Sequence, residues 1–211
     1  MKYKLVLFDF DGTIADTSEG ILDAHRFALE SMGREIPEES VLRSVIGGNL
    51  LETYKSKFGF KDSDARRAVD IYRGRYAEEG IYKARLYDGF EKVLQSIKDH
   101  GAYIGVATLK AEKFAKIMLE HMGVAQYFDC VCGMDEQDTL DKAGLIKKSM
   151  AYLFVENNET VLVGDSTNDL NGANKAGVNF VAVTYGFGFK KDESYEFAVV
   201  HSTDELCKVL S

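Results

Sequence analysis

Apolar and polar residues along this chain fall into blocks of two different periods. The run Tyr3 to Phe8 has five apolar or aromatic residues in six, the pattern of a strand covered on both faces. Similar short runs recur at Ala102 to Thr108, around Phe128 to Cys132, at Thr160 to Val163 and at Val178 to Thr184. Between them the apolar spacing lengthens to that of helices, from Gly89 to about Asp99, Ala111 to Met122, Lys142 to Val155 and Asn168 to Ala176, and a last helix is predicted over Thr203 to Leu210. Strand and helix in steady succession predict an α/β protein built on a doubly wound parallel sheet with right-handed crossovers.

One stretch breaks that rhythm. A helix capped by Asp16 or Thr17 carries Ile21, Leu22, His25, Ala28, Leu29 and Met32 on one stripe and stops near Gly33. Pro37 opens a second helix running to Gly47-Gly48. Asn49 to Glu52 has the pattern of a capping box for a third, through about Phe58, and Asp62 to Glu79 reads as a fourth. Four helices without a strand predict a helical domain, residues 17–85, inserted into a core made of residues 1–16 and 86–211. His25, on an apolar stripe, reads as a packed core residue.

Composition narrows the function classes. The chain has 211 residues, 45% of them hydrophobic, enough for one sizeable core and a smaller second domain. With 26 Lys and Arg against 34 Asp and Glu the net charge is −8, which argues against a nucleic-acid polymer or an anionic membrane as a general partner. The segment Met1 to Lys4 leads directly into a strand pattern without a secretory signal, and no stretch reaches membrane-spanning length. Cys130, Cys132 and Cys207 are an odd number without metal-ligand spacing, so reduced, packed thiols and a cytoplasmic location are expected. Nothing in the pattern calls for an obligate protein partner.

In a sheet of this kind, sites lie beyond the carboxyl ends of the strands. That rule selects Asp9 and Asp11 after the first strand, Thr108 after the second, and Gly164-Asp165 after Thr160 to Val163. Asp9 and Asp11 point to the same side of an extended chain before Gly12 lets it turn, and like charges so close need a cation or a shared proton. The same residues are common turn formers after a strand, and spacing alone leaves both readings open. Asp165 and Asp169, four apart, would share one face of the helix they begin; they would make a second acidic pair, or simply stabilise a helix N-terminus. Two acidic pairs at one sheet edge suit a hard cation, magnesium above all.

Other phosphate and metal motifs fail. There is no Gly-rich loop ending in Gly-Lys-Ser or Gly-Lys-Thr, Gly186-Phe187-Gly188 lacks the third glycine of a dinucleotide fingerprint, and a calcium loop starting at Asp9 would meet Ile14 and Gly20 where Gly and Glu belong. A phosphorylated receiver domain would leave the inserted helices unexplained.

The residues in this order resemble the haloacid dehalogenase superfamily of phosphotransferases over nearly the whole chain. Asp9-Phe10-Asp11-Gly12-Thr13 fits that family's first motif, Val106-Ala107-Thr108-Leu109-Lys110 looks like the second, and Gly164-Asp165-Ser166-Thr167-Asn168-Asp169 fits the fourth. The third is a lone lysine, assigned to Lys142, with Lys147 and Lys148 read as a solvated face. The resemblance implies a Rossmann-like core, a helical cap between the first two motifs and, from Thr184 to Gly188, the phosphoglycolate phosphatase and 5'-nucleotidase branch.

It further implies that Asp9 is the nucleophile and forms an aspartyl-phosphate, that Asp11 is the acid and then the base, and that Thr108 and Lys142 hold the phosphoryl oxygens. Magnesium would be held by the Asp9 carboxylate, the Asp11 carbonyl and Asp165, with Asp169 as a further ligand or a partner just behind one. Dehalogenases of the family lack the second aspartate, so Asp11 favours ester hydrolysis. The expected substrate is a small phosphomonoester, phosphoglycolate or a nucleoside monophosphate. In the cap, Arg43, Lys55, Arg73 and Arg75 are candidates for its distal group, although such residues on helices more often form a solvated face. The alternatives are a β-phosphoglucomutase-like phosphotransferase and, from a different class, a catalytically silent binding or regulatory protein on the same fold.

Overall fold

The computed structural model describes residues 2–135 and 139–211. In chain order the elements are β1 (Leu5–Phe8), β2 (Ala15–Asp16), α1 (Ser18–Ser31), α2 (Glu39–Arg43), α3 (Leu50–Ser56), α4 (Asp62–Glu78) and β3 (Arg85–Leu86). They continue with α5 (Phe90–Asp99), β4 (Tyr103–Ala111), α6 (Glu112–His121), β5 (Cys130–Met134), α7 (Lys142–Leu153), β6 (Thr160–Gly164), α8 (Thr167–Ala176), β7 (Asn179–Val183), β8 (Ala198–Val200) and α9 (Thr203–Leu210).

Six strands form one sheet in the order β5-β4-β1-β6-β7-β8, every neighbouring pair parallel. The expected doubly wound parallel sheet is therefore present, with β1 at its centre. Phe8 lies opposite Val106 of β4 on one side and Val163 of β6 on the other, so the residues after these three stand at one level across the sheet. That shared level brings their following residues into one place. Leu5 and Leu7 pack into a cluster with Leu145, Ile146 and Leu162, while Phe8, pointing the other way, meets the Phe90 ring edge-on at 5.1 Å. Each fully buried side chain of β1 contributes on the order of 1.5–3 kcal/mol.

The chain folds into two compact units, one made of residues 1–16 with 85–211 and the other of residues 17–84. Arg85 falls with the first unit because it pairs with Asp16 in the two-stranded β2·β3 ribbon. In the second unit His25 lies buried among the rings of Tyr54, Phe58 and Tyr72, with its Nδ1 3.2 Å from the Tyr54 hydroxyl. The helix opened by Pro37 is shorter than expected: α2 ends at Arg43, and turns carry the chain through residues 44–48. Asn49 caps α3 through its side chain, which accepts the Glu52 N–H.

Three strands have no counterpart in the sequence reading. β2 and β3 are two residues each, too short to carry a period. β8 is three residues emerging from a polar stretch, and its pairing with β7 makes it a strand. Cys130 and Cys132 are buried on β5, and all three cysteines are free thiols.

Candidate active site

Asp9 comes directly after β1, and its main-chain N–H still donates to the Val163 carbonyl at 2.9 Å. The chain then winds tightly, with the Phe10 carbonyl accepting from Thr13, Ile14 and Ala15, and Gly12 at φ +81°. That left-handed angle favours glycine, and space demands it too, since a Cβ here would stand 2.2 Å from Asp165 Oδ2.

Asp165 does not belong to the helix that follows it. Ser166 is the N-cap of α8 and Asp169 its third residue, so the expected placement of Asp165 and Asp169 on one helical face is corrected: Asp165 lies in the turn before the helix. Ser166 and Asp169 form a capping box, in which Asp169 Oδ2 accepts from the Ser166 N–H at 3.0 Å and from its hydroxyl at 2.6 Å. Helix capping and membership of the acidic cluster are thus both properties of Asp169. Tertiary folding still unites the pair, because Asp9, Asp165 and Asp169 each present a carboxylate oxygen within 4.8 Å of the others, all three buried.

Lys142 supplies the nearest positive charge. It opens α7, whose N-cap Asp141 accepts the Gly144 N–H at 2.8 Å. Its ammonium lies 2.7 Å from Asp9 Oδ1 and 2.7 Å from Asp169 Oδ1, and donates to the Ala107 carbonyl at 3.0 Å. Burial opposes its charge, and the Asp169 and Asp9 carboxylates more than offset that, holding its pKa above the usual lysine value. Lys147 and Lys148 lie on the exposed side of α7, Lys148 pairing with Glu112.

Thr108 is buried beside Ala107 and its hydroxyl accepts the Lys110 N–H at 3.2 Å. It is not the end of its strand, as expected from the sequence: β4 runs on to Ala111, with a register shift against β5 between Ala107 and Ala111. The Asp11 carboxylate lies outside the three-acid cluster and pairs instead with Lys110, Nζ to Oδ1 3.0 Å. The Asp9 and Asp11 carboxylates thus stand beside different lysines, Lys142 for Asp9 and Lys110 for Asp11.

Two contributors were not legible in the sequence. One is Lys110, noted only as part of a motif. The other is the loop Thr184 to Phe189, whose Phe187 and Gly188 N–H groups donate to Asp165 Oδ2 at 2.6 and 3.3 Å. Its signal was the glycine pair flanking Phe187: a Cβ on Gly186 would stand 2.2 Å from the Gly12 carbonyl oxygen and 2.5 Å from Asp165 Oδ2. Tyr185 ties the same loop to the first turn, its hydroxyl donating to the Thr13 carbonyl at 3.2 Å.

The donor set fits a divalent cation. Four buried acids, Asp9, Asp11, Asp165 and Asp169, outnumber the two ammonium groups beside them, Lys110 and Lys142. Burial, then the Asp169 and Asp9 charges, push Asp165 up to about 8 despite the two loop amides, so without a cation it holds a proton at neutral pH. Oxygen donors of this hardness and an excess of acids over lysines suit magnesium-like ions.

Residues 6–183 match the family described as haloacid dehalogenase-like hydrolase. A 5'-nucleotidase from Pseudomonas aeruginosa is 33% identical over 207 residues, covering 98% of this chain and 93% of that protein. A tyrosine-protein kinase, PtkA, from Mycobacterium tuberculosis is 32% identical, covering 98% of this chain and 72% of its own length. A phosphoglycolate phosphatase from Nitrosospira multiformis is 30% identical, with 98% and 95% covered. Among solved structures, one described as a predicted phosphatase from Clostridium acetobutylicum superposes with a TM-score of 0.92 at 33% identity, covering 100% of this chain and 99% of that one. The chain belongs to the haloacid dehalogenase-like hydrolase family. Within that family it is a phosphatase, an enzyme of the phosphoric monoester hydrolase class.

Proposed function

We propose that the chain is a magnesium-dependent phosphomonoesterase that releases phosphate from a small phosphorylated metabolite, of phosphoglycolate or nucleoside monophosphate type, through an aspartyl-phosphate. The carrying observation is the position of Lys142, whose ammonium joins Asp9 to Asp169 inside a buried acidic cluster. Lys142, together with a divalent cation held by these acids, would offset the repulsion between a carboxylate and an approaching phosphate dianion.

Asp9 attacks phosphorus, forming an O–P bond as the bond to the leaving oxygen breaks. Asp11 gives its proton to that oxygen, then takes one from the water that attacks the aspartyl-phosphate; phosphate leaves and Asp9 is regenerated. Lys142, with Thr108 next to the Ala107 whose carbonyl Lys142 bonds, binds transferring oxygens whose charge spreads in the transition state. Magnesium, held by Asp9, the Asp11 carbonyl and Asp165, would supply positive charge that relieves the repulsion between carboxylate and phosphate. Asp169, already bonded to Ser166 and Lys142, serves behind these ligands. The helical unit, residues 17–84, is assigned the choice of leaving group. Of its candidate cations Arg43 pairs with Glu39, Lys55 with Asp62 and Arg75 with Asp23, so each already has an acidic neighbour.

The test is phosphate release from phosphoglycolate, nucleoside monophosphates, sugar phosphates and p-nitrophenyl phosphate, with magnesium and with chelator, ranked by kcat/KM. Turnover that needs magnesium and vanishes in Asp9→Asn is expected. No turnover of any of these esters, or equal turnover by Asp9→Asn, overturns the reading. The relative named a tyrosine-protein kinase motivates a second reading, transfer to an acceptor other than water, which would show as substrate consumed without matching free phosphate.

A further inference from the structure

Lys110 is an ammonium placed where stability alone would not place one. Its side chain is 5% exposed and that of its partner Asp11 8% exposed, at a separation of 3.0 Å. Its Nζ also lies over the Phe10 ring, 5.6 Å from the centroid. Taking both ions out of water is expensive, and a buried pair is commonly no more stable than apolar residues of the same volume. A fold needing only to fill this space would be served by a methionine.

The backbone is also shaped to deliver this residue. β4 has nine residues against four in β1 and five in β6, and the surplus lies beyond the level at which β1 ends. The register shift against β5 falls in that surplus, between Ala107 and Ala111, and bulges of this kind re-aim side chains beside sites. The Lys110 N–H is held at the same time by the Thr108 hydroxyl at 3.2 Å. Lys110 is thereby tied by its main chain to one candidate phosphate-binding residue and by its side chain to the candidate acid.

We propose that Lys110 is a positioning residue for proton transfer: by holding Asp11 Oδ1 it sets the orientation in which that carboxyl group meets the leaving oxygen. The two buried lysines then divide the work. Lys142 serves the acids around the phosphoryl group, whereas Lys110 serves the one that moves protons. The assignment rests on the reading of Asp11 as the general acid given above, and its test separates the two.

That test compares leaving groups in the first chemical step. p-Nitrophenolate departs without a proton, whereas an alkoxide, as from phosphoglycolate, needs one. Single-turnover release of the leaving group is measured by rapid quench with magnesium present, so that the later water step does not enter. Lys110→Met is expected to slow alkyl phosphate cleavage by ~10- to 100-fold, part of the ~100-fold or more carried by a general acid, and p-nitrophenyl phosphate cleavage by several-fold less. Asp11→Asn should show the same selectivity more strongly, and Lys110→Arg should recover part of the alkyl rate. Should Lys110→Met fail to fold, judged by its thermal melt, Lys110→Gln carries the same comparison. Equal losses on both esters, or none on either, in the Lys110 variants overturn the positioning role while the reading of Asp11 stands. Equal losses in Asp11→Asn overturn the acid assignment itself, and the positioning role with it.

Discussion

The Lys142 ammonium stands 2.7 Å from Asp9 Oδ1 across 133 residues of sequence. One end of that contact follows the central strand and the other opens a helix, so the distance is a product of sheet order. Replacing Lys142 by methionine should lower kcat/KM by ~100- to 1,000-fold, the loss typical of removing one donor to a developing anion. It should also reduce unfolding stability in urea without metal, by roughly 3–5 kcal/mol, because Asp9 and Asp169 lose their buried counter-ion. Activity near that of the parent chain would remove Lys142 from the site.

Magnesium should raise the melting temperature, by an amount corresponding to about 2.7 kcal/mol when its concentration is 100 times the dissociation constant. Asp165 sits above its ordinary value of 3.8, at about 8, so in the metal-free fold it binds a proton that the unfolded chain releases. Its contribution to metal-free stability therefore falls as pH rises from about 4 to about 8, and a cation competes with that proton below about 8. The magnesium-induced shift should be larger at pH 8 than at pH 6, and Asp165→Asn should abolish it. A shift of equal size in Asp165→Asn would place the cation elsewhere.

His25 should stay neutral well into acid. Burial lowers its value from 6.5 to about 3, so between those limits the unfolded chain binds a proton that the folded one does not. Stability then falls as pH drops through 6.5 toward 3, by at most ~1.4 kcal/mol per pH unit from this group. The imidazole NMR resonance should not move between pH 8 and pH 5, and His25→Phe should flatten the acid limb of a urea-unfolding series. A resonance with its midpoint near 6.5 would contradict this environment.

Phe154 ends α7 in the left-handed conformation, φ +55°, and the residue is 95% exposed. A bulky aromatic at a position that favours glycine costs backbone energy and returns little packing. Phe154→Gly should therefore raise stability, by ~0.5–1 kcal/mol in a denaturant melt, without altering phosphate release. A destabilised variant would mean that the ring has a packing role the structure does not show.

Local pattern decided a good deal. Runs of Leu, Val and Phe buried on both faces can only be inner strands, and helical stripes between them force parallel crossovers, so the α/β sheet was legible from Tyr3 to Thr184. Asp9, Asp11 and Asp165 stand out in the sequence because sites in such a sheet lie beyond the carboxyl ends of its strands. Tertiary structure alone decided how those charges are paired. The separate lysines of Asp9 and Asp11, the loop amides on Asp165 Oδ2 and the strand β8 all depend on groups far apart in sequence and brought level by the order β4-β1-β6-β7-β8. Asp169 shows the boundary most clearly: its role in capping α8 follows from Ser166 three residues before it, whereas its contact with Lys142 follows from α7 and α8 packing side by side. Hydrophobic period is a property of neighbours along the chain; the pairing of buried charges is a property of neighbours in space.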